Sequence, residues 1–287
     1  PRQSSFFRSR KVPGVNYFSA RFCGIRVGWM YQLAQKTKLL WQRSICTIAA
    51  IFLIFSLGGC SQNWGWYVVN PATSSGQKNL KFLIDGLYYT LALSLTAICI
   101  SIIVGLLIAL PGLSTRRAPR SINRVYVELI RSIPLLVLIL WVYYGLPQVA
   151  GISISVFWAG VLALSISDSA FQAEIFRAGI QSINRGQYEA ASSISLNYRD
   201  TMRYVILPQA IKRILPALGN QLVYMLKMSS LVSVIGMQEL TRRANELVVT
   251  EYRPLEIYTI LVLEYLVVIL LVSAGVRWLE KRLKTAA

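Results

Sequence analysis

Long apolar runs separated by short polar segments dominate this chain and predict helices that cross a membrane. A helix needs about 20 residues to span the apolar part of a bilayer. Six segments approach or exceed that length, and they cover residues 45–59, 82–110, 126–146, 154–176, 217–235 and 257–276. The first is the shortest, and Trp64 and Trp66 in the linker that follows it are suited to the membrane interface. The pattern therefore predicts an all-α, polytopic membrane protein with about six transmembrane helices.

Basic residues collect in alternate connections between these runs and predict the orientation. Lys and Arg favour the cytoplasmic side of membrane proteins. The connection 147–153 has no charge, and the connection before the last run mixes both signs. Three clusters lie after the second and fourth runs and in the C-terminal tail: Arg116, Arg117, Arg120 and Arg124; Arg185, Arg199, Arg203, Lys212 and Arg213; and Arg277, Lys281, Arg282 and Lys284. With all three clusters inside, both termini are expected in the cytoplasm.

The charge balance of the whole chain agrees with this membrane interpretation. The sequence has 30 Lys and Arg against 12 Asp and Glu, which could suggest a nucleic-acid-binding protein. The Lys and Arg residues lie mainly on predicted cytoplasmic loops, and this distribution favours a membrane protein instead. No acidic residue precedes Asp85, so the basic segment 1–44 is expected to lie against an anionic inner leaflet.

Several kinds of chemistry are excluded by residue content. The chain has no His, which excludes His-based catalytic triads and His-ligated metal sites. Its four cysteines have no metal-ligand spacing, and there is no Walker-type phosphate loop. No catalytic residue and no metal site are predicted, and if ATP drives this protein, another chain must bind it.

The end of the first apolar run allows a second interpretation. Leu57-Gly58-Gly59-Cys60 follows a basic segment and an apolar run, as in a lipoprotein processing site. Cleavage there would leave a lipidated Cys60 and five spans. The basic leader is unusually long for a signal peptide, which favours a retained helix.

A polar, helical segment between the fourth and fifth runs carries the most informative motif. It reads EAASSISLNYRDTMRYVILP over residues 189–208. It resembles the cytoplasmic loop by which membrane subunits of bacterial ABC importers grip their ATPase partners, with the pattern Glu-Ala-Ala, three residues, Gly, nine residues, Ile-x-Leu-Pro. Ser195 replaces the Gly, and because Ser disfavours positive φ, the turn there is expected to differ slightly. The resemblance implies an ATPase-coupling role for Glu189, Ala190, Ala191, Ser195, Leu207 and Pro208.

Three further elements narrow the resemblance to polar amino acid permeases of the His/Gln/Arg type. They are ELIRSIPLL at 128–136, AEIFRAGI at 173–180 and SSLVSVIG at 229–236. Met228 departs from the pattern, since many relatives carry Asp after the Lys, and Lys227 lacks that neighbour. The resemblance runs over 82–279 and implies a five-helix importer domain there, with its coupling loop at 181–216. Charge and hydropathy add a basic cytoplasmic segment 1–44, an added helix and external linker 45–81, and a cytoplasmic tail 280–287.

The resemblance also implies partners and a location. A permease of this family works with two ABC ATPase subunits, a second identical or homologous permease and a substrate-binding protein, in the bacterial cytoplasmic (inner) membrane. This chain would bind no cofactor itself, and ATP and Mg would be held by the ATPase.

Polar side chains within the apolar runs are candidates for the substrate pathway. Charges there are costly, about 2.5–3.5 kcal/mol each on insertion scales, and need a partner or a water-filled cavity. A structural latch with Arg177 or Arg131 is the favoured interpretation for Glu174. A pathway role is an open possibility for Asp168 and Gln172, and for Glu264 it competes with a role at a subunit interface. For the stripe in the fifth run a pathway role and a helix-packing role both remain open: Asn220, Gln221, Tyr224, Lys227 and Ser230.

The favoured function is the permease subunit of an ATP-driven importer for polar amino acids. Acidic groups in the spans favour basic or neutral substrates, such as glutamine, over glutamate and aspartate. The alternative is an ion-coupled secondary amino acid transporter, with Asp168, Glu174 and Glu264 as a proton or cation relay. That alternative leaves the Glu-Ala-Ala loop unexplained.

Overall fold

Helices form the regular structure of this chain in a computed structural model that describes residues 65–114 and 116–285. No strand occurs within those residues, and the predicted all-α membrane fold class is confirmed. The basic segment 1–44, the helix predicted at 45–59 and the candidate processing site at Cys60 lie outside the described residues.

The longer helices are numbered here in chain order. They are α1 Ser74–Gly112, α2 Arg117–Ser132, α3 Leu135–Ala150, α4 Val156–Gln181, α5 Arg185–Ser193, α6 Leu207–Met228, α7 Leu240–Glu251 and α8 Pro254–Thr285. Shorter helical segments are two 3₁₀ helices, Trp66–Val69 and Ser229–Ile235, and the helical turn Tyr198–Asp200 with the π turn Thr201–Ile206.

Local side-chain hydrogen bonds set where the long helices begin. Thr73 precedes α1, and its hydroxyl accepts a hydrogen bond from the Gly76 amide at 3.1 Å. Ser155 caps α4 in the same way. Such caps satisfy amides that have no partner in the first turn. Helix α1 begins at Ser74 rather than near Phe82, and its 39 residues span about 58 Å, well beyond the bilayer core.

The prediction of one continuous helix over 126–146 is wrong. Helices α2 and α3 meet at a bend of 92°. Pro134 provides the cause, because proline lacks an amide hydrogen and disfavours helical backbone in the residue before it. Ile133 accordingly takes an extended conformation, with φ −89° and ψ 122°.

Fewer helices than predicted are apolar enough to count as spans by length and composition. Within the described residues α1, α4 and α8 qualify, and the bent pair α2–α3 makes a fourth if it is taken as one span. The segment predicted at 217–235 consists of most of α6 and the following 3₁₀ helix. Polar and charged side chains recur along α6, which explains why it does not qualify.

The main core joins helices α1, α3, α4 and α6. Gly105 of α1 allows the closest approach to α4, since a Cβ placed there would lie 2.4 Å from the Cβ of Gln172. Elsewhere along these helices the apolar side chains of the core are fully or almost fully buried. They include Leu93, Ile139, Val142, Leu164, Met225 and Val232.

Helix α7 packs on the N-terminal half of α1, in a region that the sequence suggested only as a loop of mixed charge. Glu239 precedes it with its side chain fully buried and accepts hydrogen bonds from the Arg242 amide at 2.8 Å and the Tyr265 hydroxyl at 2.9 Å. The Leu240 amide donates to the Thr90 hydroxyl at 3.2 Å. Helix α7 is therefore a fixed part of the bundle, joined to both α1 and α8.

Candidate coupling segment and buried polar cluster

Helix α5 contains the first residues of the Glu-Ala-Ala motif. Asn184 caps it, with its side-chain oxygen accepting from the Gly186 amide at 2.8 Å. Glu189 lies one turn after Arg185, at 3.3 Å from its guanidinium group. Both side chains are largely exposed, so this ion pair contributes little to stability. The Glu189 carboxylate is thus available at the surface.

The turn after α5 has the hydrogen bonds of a Schellman motif, in which two amides beyond the helix bond back to its last carbonyls. The Leu196 amide donates to the Ala191 carbonyl at 3.1 Å, and the Ser195 amide donates to that of Ser192 at 3.0 Å. Ser195 occupies the left-handed position with φ 58°. The expectation that Ser would avoid positive φ here is therefore wrong, because the two hydrogen bonds hold the turn in this conformation.

The rest of the motif runs into α6 without a break in the helical backbone. Asn197 starts this run by accepting from the Asp200 amide at 2.9 Å. The π turn Thr201–Ile206 follows and leads directly into α6. Pro208 cannot donate to the carbonyl four residues earlier, which accounts for the wider turn just before it. The end of the motif is thus the beginning of a core helix.

Helix α5 is also tied to the first turns of α6, and α6 in turn is tied to the C-terminal end of α4. The Gln209 amide group donates to Gln187 at 3.0 Å, and the Arg213 guanidinium group donates to the Ser182 hydroxyl at 3.1 Å. Burial raises the pKa of the Tyr188 hydroxyl, and the nearby Tyr198 adds to the rise, so Tyr188 stays neutral. An apolar cluster fills the space below α5: Ile180, Ile183, Ile206, Ala210 and Ile214.

One residue that the sequence assigns to ATPase coupling, Ala191, does not lie at the surface. Glu189, Ala190, Leu207 and Pro208 are exposed, whereas Ala191 is only 3% exposed and packs within the chain. Sequence reasoning also missed two exposed residues beside the motif. Ile194 and Tyr198 are each 72% exposed. A large apolar side chain in an otherwise polar loop is the sequence signal that could have identified them.

A second candidate site surrounds Asp168 in the middle of the bundle. Asp168 is 3% exposed. One carboxylate oxygen accepts from the Ser101 hydroxyl and from the Gln172 amide group at 2.9 Å, and the other accepts from Gln221. Helices α1, α4 and α6 each contribute a donor. Of these partners, sequence reasoning identified Gln172 and Gln221 and missed Ser101, which carries no signal on an apolar helix.

The polar residues predicted along α6 divide between two faces. Gln221 points to Asp168, while Asn220, Tyr224 and Lys227 are exposed on an adjoining face, about 90° around the helix. The Tyr224 ring lies 6.3 Å from the Phe171 ring. Ser230, half-buried in the 3₁₀ helix, donates to the Lys227 carbonyl at 2.7 Å. Only Gln221 therefore belongs to the Asp168 cluster.

Glu264 lies apart from this cluster. Its half-buried side chain on α8 adjoins an apolar cavity of about 260 Å³ that is lined by Ile84 and Leu87 of α1. Its Oε2 atom is buried and has no hydrogen-bond partner in the part of the chain that the structure describes. The structure thus does not bring Glu264 together with Asp168.

The ion pair expected at Glu174 is present. Both carboxylate oxygens of Glu174 accept from the Arg177 guanidinium group, with the Nε–Oε2 distance at 2.9 Å. Arg131 lies nearby, with its guanidinium carbon 4.8 Å from the centre of the Phe171 ring. These groups border a cavity of about 510 Å³ between α2 and α4, where Arg120 and Arg124 also lie.

The chain is similar in sequence to membrane components of known transport systems. A family model described as "Binding-protein-dependent transport system inner membrane component" matches residues 101–285. The chain is 40% identical to the probable glutamine ABC transporter permease protein GlnM of Bacillus subtilis, over 72% of this chain and 95% of that protein. It is 37% identical to the arginine transport system permease protein ArtQ of the same organism, over 72% of this chain and 94% of that one. The glutamine transport system permease protein GlnP of Escherichia coli is 34% identical, over 76% and 97%.

Solved structures agree with these relatives. A crystal structure of an amino acid ABC transporter with histidines is 46% identical, covers 72% of this chain and 97% of its own, and has a TM-score of 0.69. An inward-facing MetNI methionine ABC transporter shares the fold at 19% identity, with a TM-score of 0.62 over 71% and 97%. The alternative of an ion-coupled secondary transporter receives no support from these matches. The chain belongs to the family of binding-protein-dependent transport system inner membrane components, the permease subunits of ABC importers.

Proposed function

We propose that this chain and a second permease form the translocation pathway of an ATP-driven importer for polar amino acids, basic or neutral such as glutamine. Relatives named for glutamine and arginine support the substrate class. The observation that carries the proposal is the continuity of the Glu-Ala-Ala segment with α6. A partner that moves this segment would move core helices with it.

Coupling to ATP follows from this connection. Two ATPase subunits would contact α5 and the following turn through Glu189, Ala190 and the exposed side chains of Ile194 and Tyr198. ATP and Mg²⁺ would be held by those subunits. Closing of the ATPase pair would displace α5. The hydrogen bond between Gln209 and Gln187 would transmit the displacement to α6, and the bond from Arg213 to Ser182 would pass it on to the end of α4. The bundle then alternates between two states, to which both the ATPase and the substrate couple.

The orientation of the chain follows from the distribution of basic residues. The C-terminal ends of α1, α4 and α8 and the N-terminal end of α6 all carry or adjoin Lys and Arg clusters. Because such clusters favour the cytoplasm, these ends are assigned to the inner side of the cytoplasmic membrane, with both termini inside. The coupling segment then faces the ATPase, and the opposite end receives amino acids from a substrate-binding protein.

The Asp168 cluster is proposed as the charge-selective part of the pathway. Its three donors are neutral, so the carboxylate has no cation of its own within the described residues. The Gln172 Oε1 atom beside it is buried and has no hydrogen-bond partner among the described residues. An unbalanced negative charge in a poorly solvated site favours a cationic or neutral amino acid over a second carboxylate. Asn220, Tyr224, Lys227 and Ser230 would line the adjoining face of α6.

Competition of uptake tests this assignment. The complex with its ATPase and binding protein would be placed in vesicles, and labelled arginine, glutamine and glutamate would compete for ATP-dependent uptake. Arginine or glutamine should be preferred over glutamate. The Asp168→Asn variant should lose arginine uptake by about tenfold, the equivalent of about 1.4 kcal/mol.

The matched control is Asp85→Asn, which neutralises a more exposed carboxylate near Arg243 and should leave uptake unchanged. Efficient glutamate transport that does not respond to Asp168→Asn would overturn the pathway assignment. Uptake that follows the proton gradient rather than ATP would overturn the proposed function itself.

A further inference from the structure

Helix α2 has three distinct faces. One face packs on α1 and α4 through Asn123, Tyr126 and Val127. The Asn123 amide group donates to the Ile108 carbonyl at 2.8 Å, and the Tyr126 hydroxyl lies 2.7 Å from that of Ser169. Val127 packs against Ala109 and Ala173. This face holds α2 against the C-terminal end of α1 and the C-terminal half of α4.

A second face of α2 is apolar and has no cover within residues 65–114 and 116–285. Ile122, Val125 and Leu129 recur at spacings of three and four residues, which places them on one side of a helix. They are 63%, 53% and 61% exposed. A stripe of three exposed, large aliphatic side chains along one side of a helix marks a surface that contacts protein or membrane lipid.

The third face is basic and lies roughly opposite the apolar face. At about 100° per residue, Arg120, Arg124 and Arg131 point on average about 150° away from the centre of the apolar stripe. Arg120 and Arg124 are exposed, and both border the cavity next to α4. Arg117 extends the same face at the start of the helix.

The direction of α2 gives these faces a physical meaning. Its axis is bent by 92° from α3, which continues into the bundle. If α3 runs across the membrane, α2 runs nearly parallel to the membrane plane. The lateral face then contacts the bundle, the apolar face points into the membrane and the basic face points out of it. A helix with this arrangement binds at the membrane surface, and basic groups there attract anionic lipids.

We propose that α2 is an interfacial helix that binds anionic phospholipids of the inner leaflet. Ile122, Val125 and Leu129 insert among the acyl chains, and Arg117, Arg120 and Arg124 contact headgroup phosphates. The choice of leaflet rests on the orientation given in the proposed function. The contact of α2 with lipid depends only on how α2 is placed against the bundle.

Spin labelling of the assembled complex tests the apolar face. Cys23, Cys46, Cys60 and Cys99 would be replaced by Ser, and the Leu129→Cys variant would carry a nitroxide in vesicles of phosphatidylcholine and phosphatidylglycerol. Collisions with oxygen, which dissolves in lipid, should be frequent, and collisions with a water-soluble nickel chelate should be rare. The matched control on the same helix, Arg120→Cys, should show the reverse.

The outcomes separate the possible neighbours of this face. A Leu129 label that is shielded from both reagents would mean that protein, such as the second permease, covers it, and the proposal would be overturned. Frequent collisions with nickel would place the face in water and overturn it equally.

Lipid preference tests the basic face. The fraction of spin-labelled phosphatidylglycerol immobilised on the complex should exceed that of spin-labelled phosphatidylcholine. In the variant with both Arg120→Gln and Arg124→Gln the preference should fall, by about fivefold per arginine at the contact. Equal association of both lipids with the unmodified complex would refute anionic-lipid binding. A complex that passes both lipid tests but imports no amino acid would refute only the proposed function.

Discussion

Ser195 holds a backbone conformation that glycine adopts more easily. A residue with a side chain loses about 1–2 kcal/mol in the left-handed region, and glycine avoids this cost at the expense of about 0.5–1 kcal/mol of conformational entropy. The Schellman hydrogen bonds from Ser195 and Leu196 maintain the turn in spite of the strain. The turn that separates the two parts of the coupling segment is therefore well formed but not at its most stable.

Replacing Ser195 with glycine should stabilise this turn by about 0.5–1 kcal/mol. The thermal transition of the assembled complex in detergent measures the effect, with ATPase activity recorded in parallel. The matched control is Ser193→Gly, in the last turn of α5, where glycine should destabilise by about 0.5–1 kcal/mol. A Ser195→Gly complex that melts earlier than the unmodified one would contradict the strain at this position.

The residues of the polar cluster show what a sequence can and cannot provide. Asp168 and Gln172 are four residues apart on one apolar helix, so their proximity follows from helical periodicity. Ser101 and Gln221 come from other helices, and their contact with Asp168 depends on how α1 and α6 pack on α4. No local pattern contains that information.

At the scale of helices, hydropathy predicts the apolar elements better than their breaks. The run 257–276 lies within α8, and the run 154–176 lies within α4 except for its first two residues. The run 126–146 was wrongly extended through Pro134, although Ser132-Ile133-Pro134 contains the signal for a break. Helix α7 escaped prediction because its buried side chains, Leu240, Ala244 and Leu247, are few among charged residues.

Gly105 determines how closely α1 and α4 approach. A Cβ there would lie 2.4 Å from the Gln172 Cβ and 3.0 Å from the Ala173 amide nitrogen, and neither atom can move without shifting α4. Gly105→Ala should therefore cost about 1–3 kcal/mol by overpacking. Loss of thermal stability of the purified chain measures this cost.

Gly275→Ala is the matched control for that substitution. Gly275 also lies within a helix, and a Cβ there would meet no atom within 4 Å. Alanine should be neutral or slightly stabilising at this position because it favours helix more than glycine does. Equal effects of the two substitutions would contradict the close packing of α1 on α4.

On the scale of the whole molecule, the coupling segment and the core form one mechanical unit. Helix α5 is hydrogen-bonded to α6, α6 is hydrogen-bonded to the end of α4, and the motif continues into α6 through Pro208. Helices α4 and α6 in turn hold Asp168 and Gln221. A displacement at the surface of α5 thus reaches the polar cluster through helices rather than loops.

The most direct test of this account is the Ala190→Trp variant, measured for ATP hydrolysis and amino acid uptake in vesicles with the ATPase and the binding protein. Ala190 is exposed on α5, so a bulky side chain should obstruct the ATPase contact while the chain still inserts. An overpacking cost of about 1–3 kcal/mol corresponds to about 5- to 150-fold weaker coupling. The control Leu271→Trp, at an exposed position of α8, should hydrolyse and import normally. The account predicts that uptake and substrate-stimulated hydrolysis fall together in Ala190→Trp, and normal coupled activity of that variant would contradict it.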